Sequence, residues 1–141
     1  MLNNSIKLDF SDVLITPSKS NINSRNEVNP IRTINFGKDK GKWTGVPIII
    51  SNMDTTGTIE MAKIAEKYQI ITCLHKFYTV DDIDKLKQLN TDYFALSTGI
   101  GESDLQRMDK ILENLECRFI CIDVANGYTP KFREVCNLIR N

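Results

Sequence analysis

From residue 46 onward, apolar runs of strand length recur at nearly equal intervals. They begin near Val46, Ile70, Tyr93 and Phe119, which are 24, 23 and 26 residues apart. Each interval has room for one strand, one helix and two short loops, and strands that alternate with helices favour a parallel sheet with right-handed crossovers. The first run, residues 46–50, is apolar and largely β-branched, so we expect a strand that is buried on both faces.

Helical patterns follow these runs, and each opens with a start signal. The signals are Thr58, Thr79 with Asp82, Ser103 with Gln106, and Thr129 followed by Pro130. A serine or threonine at the N-cap accepts a hydrogen bond from a free N–H of the first turn, and a suitable side chain three residues later completes a capping box. Proline fits the first helical position, where its missing N–H is not needed.

Residues 1–45 have a different pattern and are predicted to be an irregular lead-in that can form a hairpin. A short apolar run ends at Pro17, and residues 31–36 alternate between apolar and polar as a half-buried strand does. The stretch GKDKGKWTG, residues 37–45, has the composition of an exposed turn. Ser24 and Arg25 lie in the loop of this segment, and Arg25 taken alone is a solvated surface charge.

Polar clusters stand where each apolar run ends, at residues 51–54, 75–76, 97–99 and 123–127. The carboxyl ends of parallel strands share one rim, where α/β proteins place their ligand sites. Four such clusters resemble half the mouth of a (β/α)₈ TIM barrel, a fold that needs about 250 residues. We therefore expect residues 46–141 to be the first half of a barrel, with four of its eight β/α units. The rival is a small doubly wound domain, against which stands the missing Gly-rich loop after the first strand.

Composition narrows the range of partners. Lysine plus arginine equals aspartate plus glutamate at 18 each, so the zero formal charge gives no sign of a nucleic-acid or membrane partner. No apolar run approaches the ~20 residues of a membrane span, and MLNNSIKLDF does not resemble a signal peptide, which together predict a cytoplasmic protein. The four cysteines form no C-x-x-C pair, so reduced, mostly buried thiols are expected rather than a zinc site.

The predicted rim offers few groups for chemistry. Lys76 can meet a phosphate, and so can Arg25 if the lead-in folds over the mouth, although a surface amine is the plain alternative for Lys76. His75 is either a general acid or a hydrogen-bonded rim residue, and the second is favoured. Asp123 ends a hydrophobic strand, where a carboxylate costs free energy unless it is hydrogen-bonded. No pair has the pattern of a nucleophile with its base.

Six segments carry a resemblance that covers essentially the whole chain. They are KLDFSDVLITPS, SRNEV, SNMDTTGTIEMA, CLHKFYTVDD, ALSTGIG and FICIDVANGYTPKF. In them the chain resembles the N-terminal half of the GMP reductases, within the IMP dehydrogenase/GMP reductase family. Two features favour the reductase branch. Lys76 leads directly into the next helix, without the inserted CBS modules usual in IMP dehydrogenases, and Asn52 stands where those enzymes tend to have proline.

The resemblance implies a (β/α)₈ barrel, usually a homotetramer, that converts GMP to IMP with release of ammonia, using NADPH. It implies six cofactor contacts and two residues near the substrate nucleotide. The cofactor contacts are Ser24, Arg25, Lys76, Asp123, Val124 and Ala125. The residues near the nucleotide are Ser51 and Met53. The pair at 24–25 is expected to act across a subunit boundary, and residues 123–125 are expected to lie against the nicotinamide half.

The chain departs from the family in what it lacks. The family's catalytic cysteine lies on a loop after the sixth strand, and its monovalent-cation (K⁺) site and later phosphate loops also fall outside this chain. None of the four cysteines present matches that loop. We therefore predict half a site, no turnover by this chain, and an unpaired sheet edge. The alternatives are an IMP dehydrogenase relative that oxidises IMP with NAD, and a non-catalytic nucleotide-binding half-barrel.

Overall fold

The computed structural model describes residues 6–37 and 41–140. Its strands are β1 (Arg32–Asn35), β2 (Lys42–Gly45), β3 (Ile49–Ile50), β4 (Ile71–Leu74), β5 (Phe94–Thr98) and β6 (Ile120–Ile122). Its α-helices are α1 (Ile59–Ala65), α2 (Ile83–Leu86), α3 (Glu102–Leu112) and α4 (Pro130–Arg140). Short 3₁₀ turns cover Phe10–Asp12, Arg25–Glu27, Glu66–Tyr68 and Val80–Asp82.

Strands β3 to β6 form a four-stranded parallel sheet whose spatial order is the order along the chain. Thr72 of β4 lies opposite Phe94 of β5, and Leu96 of β5 lies opposite Ile120 of β6. The predicted parallel α/β sheet is confirmed. A doubly wound domain reverses its strand order at a switch point, and these four strands show no reversal.

The helices cover one face of this sheet and form the core with it. The sheet contributes Leu74, Phe94 and Leu96, which are at most 2% exposed. The rest of the cluster comes from the helices and the loops beside them: Ile59, Ala62, Leu86, Leu89, Met108, Ile111 and Leu115. Burial of apolar side chains at helical spacing explains why these segments are helical rather than extended.

Three of the four predicted helix starts are confirmed. The hydroxyl oxygen of Thr58 accepts from the Met61 N–H at 3.1 Å, and that of Thr129 accepts from the Phe132 N–H at 3.2 Å, just before Pro130 begins α4. Thr79 caps the turn ahead of α2, and the Asp82 carboxylate accepts from the Thr79 N–H at 3.1 Å.

The predicted capping box of Ser103 with Gln106 is wrong. Helix α3 begins two residues earlier than this box requires, at Glu102, and its N-cap is Gly101. The Asp104 carboxylate accepts from the Gly101 N–H at 3.3 Å. Asp104 holds the third helical position, so its short side chain reaches back to the cap, while Ser103 already lies inside the first turn.

Two strand predictions also need correction. Only Ile49–Ile50 of the run at 46–50 is a strand, and Ile49 is 63% exposed, because β3 pairs with a single strand of the sheet. Strand β1 lies within the alternating segment at 31–36 but is exposed along its whole length rather than half-buried.

The stretch predicted to be an exposed turn is partly a strand. Residues 42–45 form β2, which pairs with β1 in an antiparallel hairpin, and residues 38–40 lie outside the described residues. Trp43 is 3% exposed; its Nε1–H donates to the carbonyl oxygen of Asp92 at 2.8 Å, and its ring meets that of Tyr93 edge-on at 6.4 Å. Arg118 also bonds to the Asp92 carboxylate and to the Lys42 carbonyl. The hairpin therefore closes the amino end of the sheet, opposite the rim.

Within residues 6–37 and 41–140, none of the helices has the length and apolar character needed to span a bilayer.

Trp43 makes the hairpin part of the core. We expect Trp43→Ala to lower the free energy of unfolding by about 3–5 kcal/mol. Trp43→Phe should cost less, since it keeps the ring contact and loses only the hydrogen bond. The measurement is urea denaturation followed by circular dichroism. Tryptophan fluorescence cannot serve, because Trp43 is the only tryptophan and both substitutions remove it. Ile34→Ala, at a 40% exposed position of the same hairpin, is the control; an equal loss from both alanine variants would contradict the burial argument.

Candidate functional site

The loops that follow β3 and β4 are in direct contact at the rim. The His75 N–H donates to the Gly57 carbonyl at 2.8 Å. A Cβ at Gly57 would collide with the carbonyl oxygen of Cys73 and would lie 2.9 Å from the Cα of Asn52. A glycine is needed here because the two backbones approach too closely for any side chain.

Ser51 and Met53 lie in the loop after β3, as predicted. The Met53 carbonyl accepts from the N–H groups of Thr56 and Gly57 at 3.1 and 2.6 Å, and the Thr56 hydroxyl donates to the Ser51 carbonyl at 3.2 Å. The turn is thus held by its own backbone. Ser51 is exposed and Met53 is 58% exposed, which leaves both side chains accessible to a ligand.

His75 and Lys76 follow β4 at the same rim. The His75 ring stacks on the Tyr78 ring at 4.1 Å with an interplanar angle of 10°, and its Nδ1 accepts from the Phe77 N–H at 3.3 Å. His75 is therefore a hydrogen-bonded and stacked rim residue, the alternative that the sequence favoured. Lys76 is exposed, and in the part of the chain that the structure describes no carboxylate lies within ion-pair distance of it.

Asp123, Val124 and Ala125 follow β6. The Asp123 N–H donates to the Thr98 carbonyl at 2.8 Å and extends the pairing of β5 with β6 by one residue. The Asp123 side chain is exposed, so its carboxylate is solvated and does not carry the burial cost that its place after a hydrophobic strand suggested. Val124 is half-buried and Ala125 is exposed.

The exit of β5 is closed rather than open. Ser97 and Thr98 are 2% and 0% exposed. The Arg107 guanidinium of α3 donates to the Ser97 carbonyl at 2.8 Å and to the Tyr78 carbonyl at 3.0 Å. Burial lowers the pKa of Arg107, and the nearby Asp104 opposes that shift.

Sequence reasoning missed both Arg107 and Tyr78. The sequence did offer a signal for Arg107, which is a charged residue next to Met108 at the flank of the apolar stripe of α3. A charged side chain at that position must either reach solvent or find buried hydrogen-bond partners.

Two thiols lie on the sheet face that the helices leave uncovered. Cys73 lies opposite Ala95, and Cys121 lies opposite Ser97, two residues further along β5, so all four share a face. The neighbouring Cys73 thiol lowers the pKa of Cys121 to about 6, against the effect of burial. The same contact and burial raise the pKa of Cys73.

All four cysteines are free, as expected. Each is partly buried, in agreement with the expectation of mostly buried thiols.

Ser24 and Arg25 are not brought to the rim within this chain. Ser24 caps the 3₁₀ turn Arg25–Glu27 by accepting from the Asn26 N–H at 3.3 Å. Every residue from 6 to 37 is exposed, Ser24 and Arg25 included. The structure thus gathers six of the eight predicted residues at strand exits and leaves this pair apart.

The close approach of the two backbones at Gly57 can be tested by substitution. We expect Gly57→Ala to lower the free energy of unfolding by about 1–3 kcal/mol, because two backbones must separate. Hydrogen exchange at the His75 amide should also rise. Gly127→Ala is the matched control, since its Cβ would meet nothing closer than 3.7 Å. Equal effects from the two variants would show that the close approach at Gly57 does not order the rim.

The chain is similar in sequence to GMP reductases of several organisms. The chain is 43% identical to GMP reductase 1 of Mus musculus and 44% identical to that of Homo sapiens, over 96% of its length in both cases. It is 41% identical to the GMP reductase of Phytophthora infestans, again over 96% of its length. These matches cover 41%, 40% and 39% of the relatives, so the chain spans about two fifths of the curated proteins it matches. No family model matches the chain.

A solved structure shares the architecture. The crystal structure of inosine 5′-monophosphate dehydrogenase from Legionella pneumophila superposes with a TM-score of 0.71 at 29% identity. The match covers 93% of this chain and 39% of that one. The resemblance predicted from the six segments is therefore confirmed: over the region that they share, the chain is a homologue of the GMP reductases.

Proposed function

We propose that a protein carrying this chain is a GMP reductase, which converts GMP to IMP with release of ammonia and consumes NADPH. The observation that carries the proposal is an identity of 41–44% to the GMP reductases 1 of three mammals over 96% of the chain. The rim is consistent with this function, because the exits of β3, β4 and β6, which carry exposed polar residues, lie at the same edge of one parallel sheet.

The rim suits the phosphate of NADPH at Lys76. An exposed ammonium without an ion-pair partner in the described part of the chain is free to bind the 2′-phosphate. We propose the same role for Ser24 and Arg25, supplied from a neighbouring subunit, because within their own chain they stand in an exposed turn.

The rim also suits the nicotinamide half at the exit of β6. The solvated Asp123 carboxylate can accept hydrogen bonds from a carboxamide NH₂. Val124 and Ala125 present a small apolar surface beside it, and a Cβ at Gly127 would make only ordinary van der Waals contact, with the Phe132 ring at 3.7 Å. Bound NADPH would supply the hydride, and these residues would orient it. Ser51 and Met53 are proposed to face the nucleotide substrate from the loop after β3.

The remaining parts of the proposal concern the whole protein. We infer that β3 to β6 are half of a (β/α)₈ barrel, that the protein is a cytoplasmic homotetramer, and that a K⁺ site lies outside this chain. The nucleophilic cysteine also lies outside it, on the loop that follows the sixth strand of the barrel, two strands beyond β6. The chain alone should therefore show no turnover.

An IMP dehydrogenase relative is the second candidate. The superposition on the Legionella enzyme favours it, but that match is 29% identical, against 41–44% for the mammalian GMP reductases 1. The non-catalytic half-barrel has no observation of its own in its favour.

The test uses the longest reading frame that contains this chain. We expect it to oxidise NADPH when GMP is present and to form IMP, while the 141-residue chain alone does not. Lys76→Ala should raise the KM for NADPH about tenfold, because a charge-assisted hydrogen bond to phosphate is lost, and should change the KM for NADH less. Lys67→Ala, an exposed lysine before β4, is the control. Reduction of NAD with IMP, and no reaction with GMP, would replace the reductase with the dehydrogenase.

A further inference from the structure

Tyr78 joins three elements around the loop that carries Lys76. Its hydroxyl accepts from the Ile59 N–H of α1 at 2.9 Å. Its ring stacks on His75 at the exit of β4, at 4.1 Å. Its carbonyl accepts from Arg107 of α3 at 3.0 Å. Tyr78 thus connects α1, the exit of β4 and α3.

Arg107 extends this connection to β5. Its second nitrogen donates to the Ser97 carbonyl at 2.8 Å, so one guanidinium holds the exits of β4 and β5 together. The side chain is partly withdrawn from water and keeps its charge beside two carbonyl acceptors, where charge-assisted hydrogen bonds are strong.

Burial contributes little to holding the loop between these anchors. Lys76 is exposed and Phe77 is 65% exposed, so neither is fixed by burial. Only these two residues separate His75 from Tyr78, and both ends of the pair are anchored, by stacking and by hydrogen bonds. A short segment with fixed ends has few accessible conformations, which reduces the entropy lost when a ligand immobilises it.

Tyr78 also links the cofactor side of the rim to the substrate side. Ile59 begins α1, and its N–H is one of the amides that a helix cannot satisfy internally. Thr58 satisfies the N–H of Met61, and the phenol of Tyr78 satisfies that of Ile59. Burial raises the pKa of Tyr78, so the phenol stays neutral at neutral pH. The loop that carries Ser51 and Met53 therefore enters a helix whose first turn is held by Tyr78.

We propose that Tyr78 is a positioning residue: it fixes the backbone at 75–78 so that Lys76 is presented to the cofactor phosphate. This inference rests on the proposed function, because it assumes that Lys76 binds the 2′-phosphate. It goes beyond that function because the preference for NADP⁺ over NAD⁺ that Lys76 provides then depends on a residue that does not touch the cofactor.

The experiment is a double-mutant cycle in the protein from the longest reading frame that contains this chain. The dissociation constants of NADP⁺ and NAD⁺ are measured for the parent protein, Tyr78→Leu, Lys76→Ala and the double variant. We expect Tyr78→Leu to weaken NADP⁺ binding about tenfold and NAD⁺ binding much less. In the Lys76→Ala background it should change NADP⁺ binding by less than about twofold, since its effect passes through Lys76.

Two further variants separate the contacts of Tyr78. Tyr78→Phe keeps the stack on His75 and loses the hydrogen bond to Ile59, so it should recover most of the NADP⁺ affinity that Tyr78→Leu loses. Tyr68→Leu removes a 66% exposed ring before β4 and should change neither constant. Thermal unfolding by circular dichroism confirms that each variant is folded.

Equal weakening of NADP⁺ and NAD⁺ by Tyr78→Leu, or effects that add with those of Lys76→Ala, would overturn the positioning role. If the parent protein does not prefer NADP⁺, the proposed function fails instead. In that case, hydrogen exchange at the Phe77 amide tests whether Tyr78 anchors the loop at residues 75–78. Faster exchange in Tyr78→Leu supports the anchoring, and unchanged exchange removes it.

Discussion

The rim depends on the burial of the two central strands, β4 and β5. Leu74, Phe94 and Leu96 are at most 2% exposed and pack against helices α1 to α3. Full burial of such a side chain contributes about 1.5–3 kcal/mol. Within the described residues, β3 and β6 each pair with one strand of this sheet and are only partly covered. The loops after them therefore take their positions from pairing with the centre.

Contacts at the rim turn neighbouring loops into one surface. The loop after β3 meets β4 through the bond between Gly57 and His75, and the loop after β4 meets α3 through Arg107. The exit of β6 is tied to β5 by the bond from Asp123 to Thr98. Each bond uses the backbone, so the exposed side chains at these exits remain available to a ligand. An ordered backbone with accessible side chains is the arrangement that reduces the cost of binding.

Features that depend on residues close together in the chain could be predicted from the sequence. Spacing predicted the parallel sheet, three helix starts, and the place of Lys76 and Asp123 at strand exits. It did not show that Trp43 is buried, because the acceptor of its indole is 49 residues away. The roles of Tyr78 and Arg107 also depend on partners 10 to 29 residues distant, which no local pattern encodes. The cofactor roles of Ser24 and Arg25 come only from the family resemblance, and folding of this chain does not bring them to the rim.

The central claim is that the exits of β3, β4 and β6 form one nucleotide-binding rim. The most direct measurement is the set of backbone amide chemical shifts of the chain during titration with NADP⁺. We predict that the shifts change at residues 75–78 and 123–127, with smaller changes at 51–57 through the bond between Gly57 and His75. Changes confined to the hairpin at 32–45, at the opposite end of the sheet, would contradict the claim.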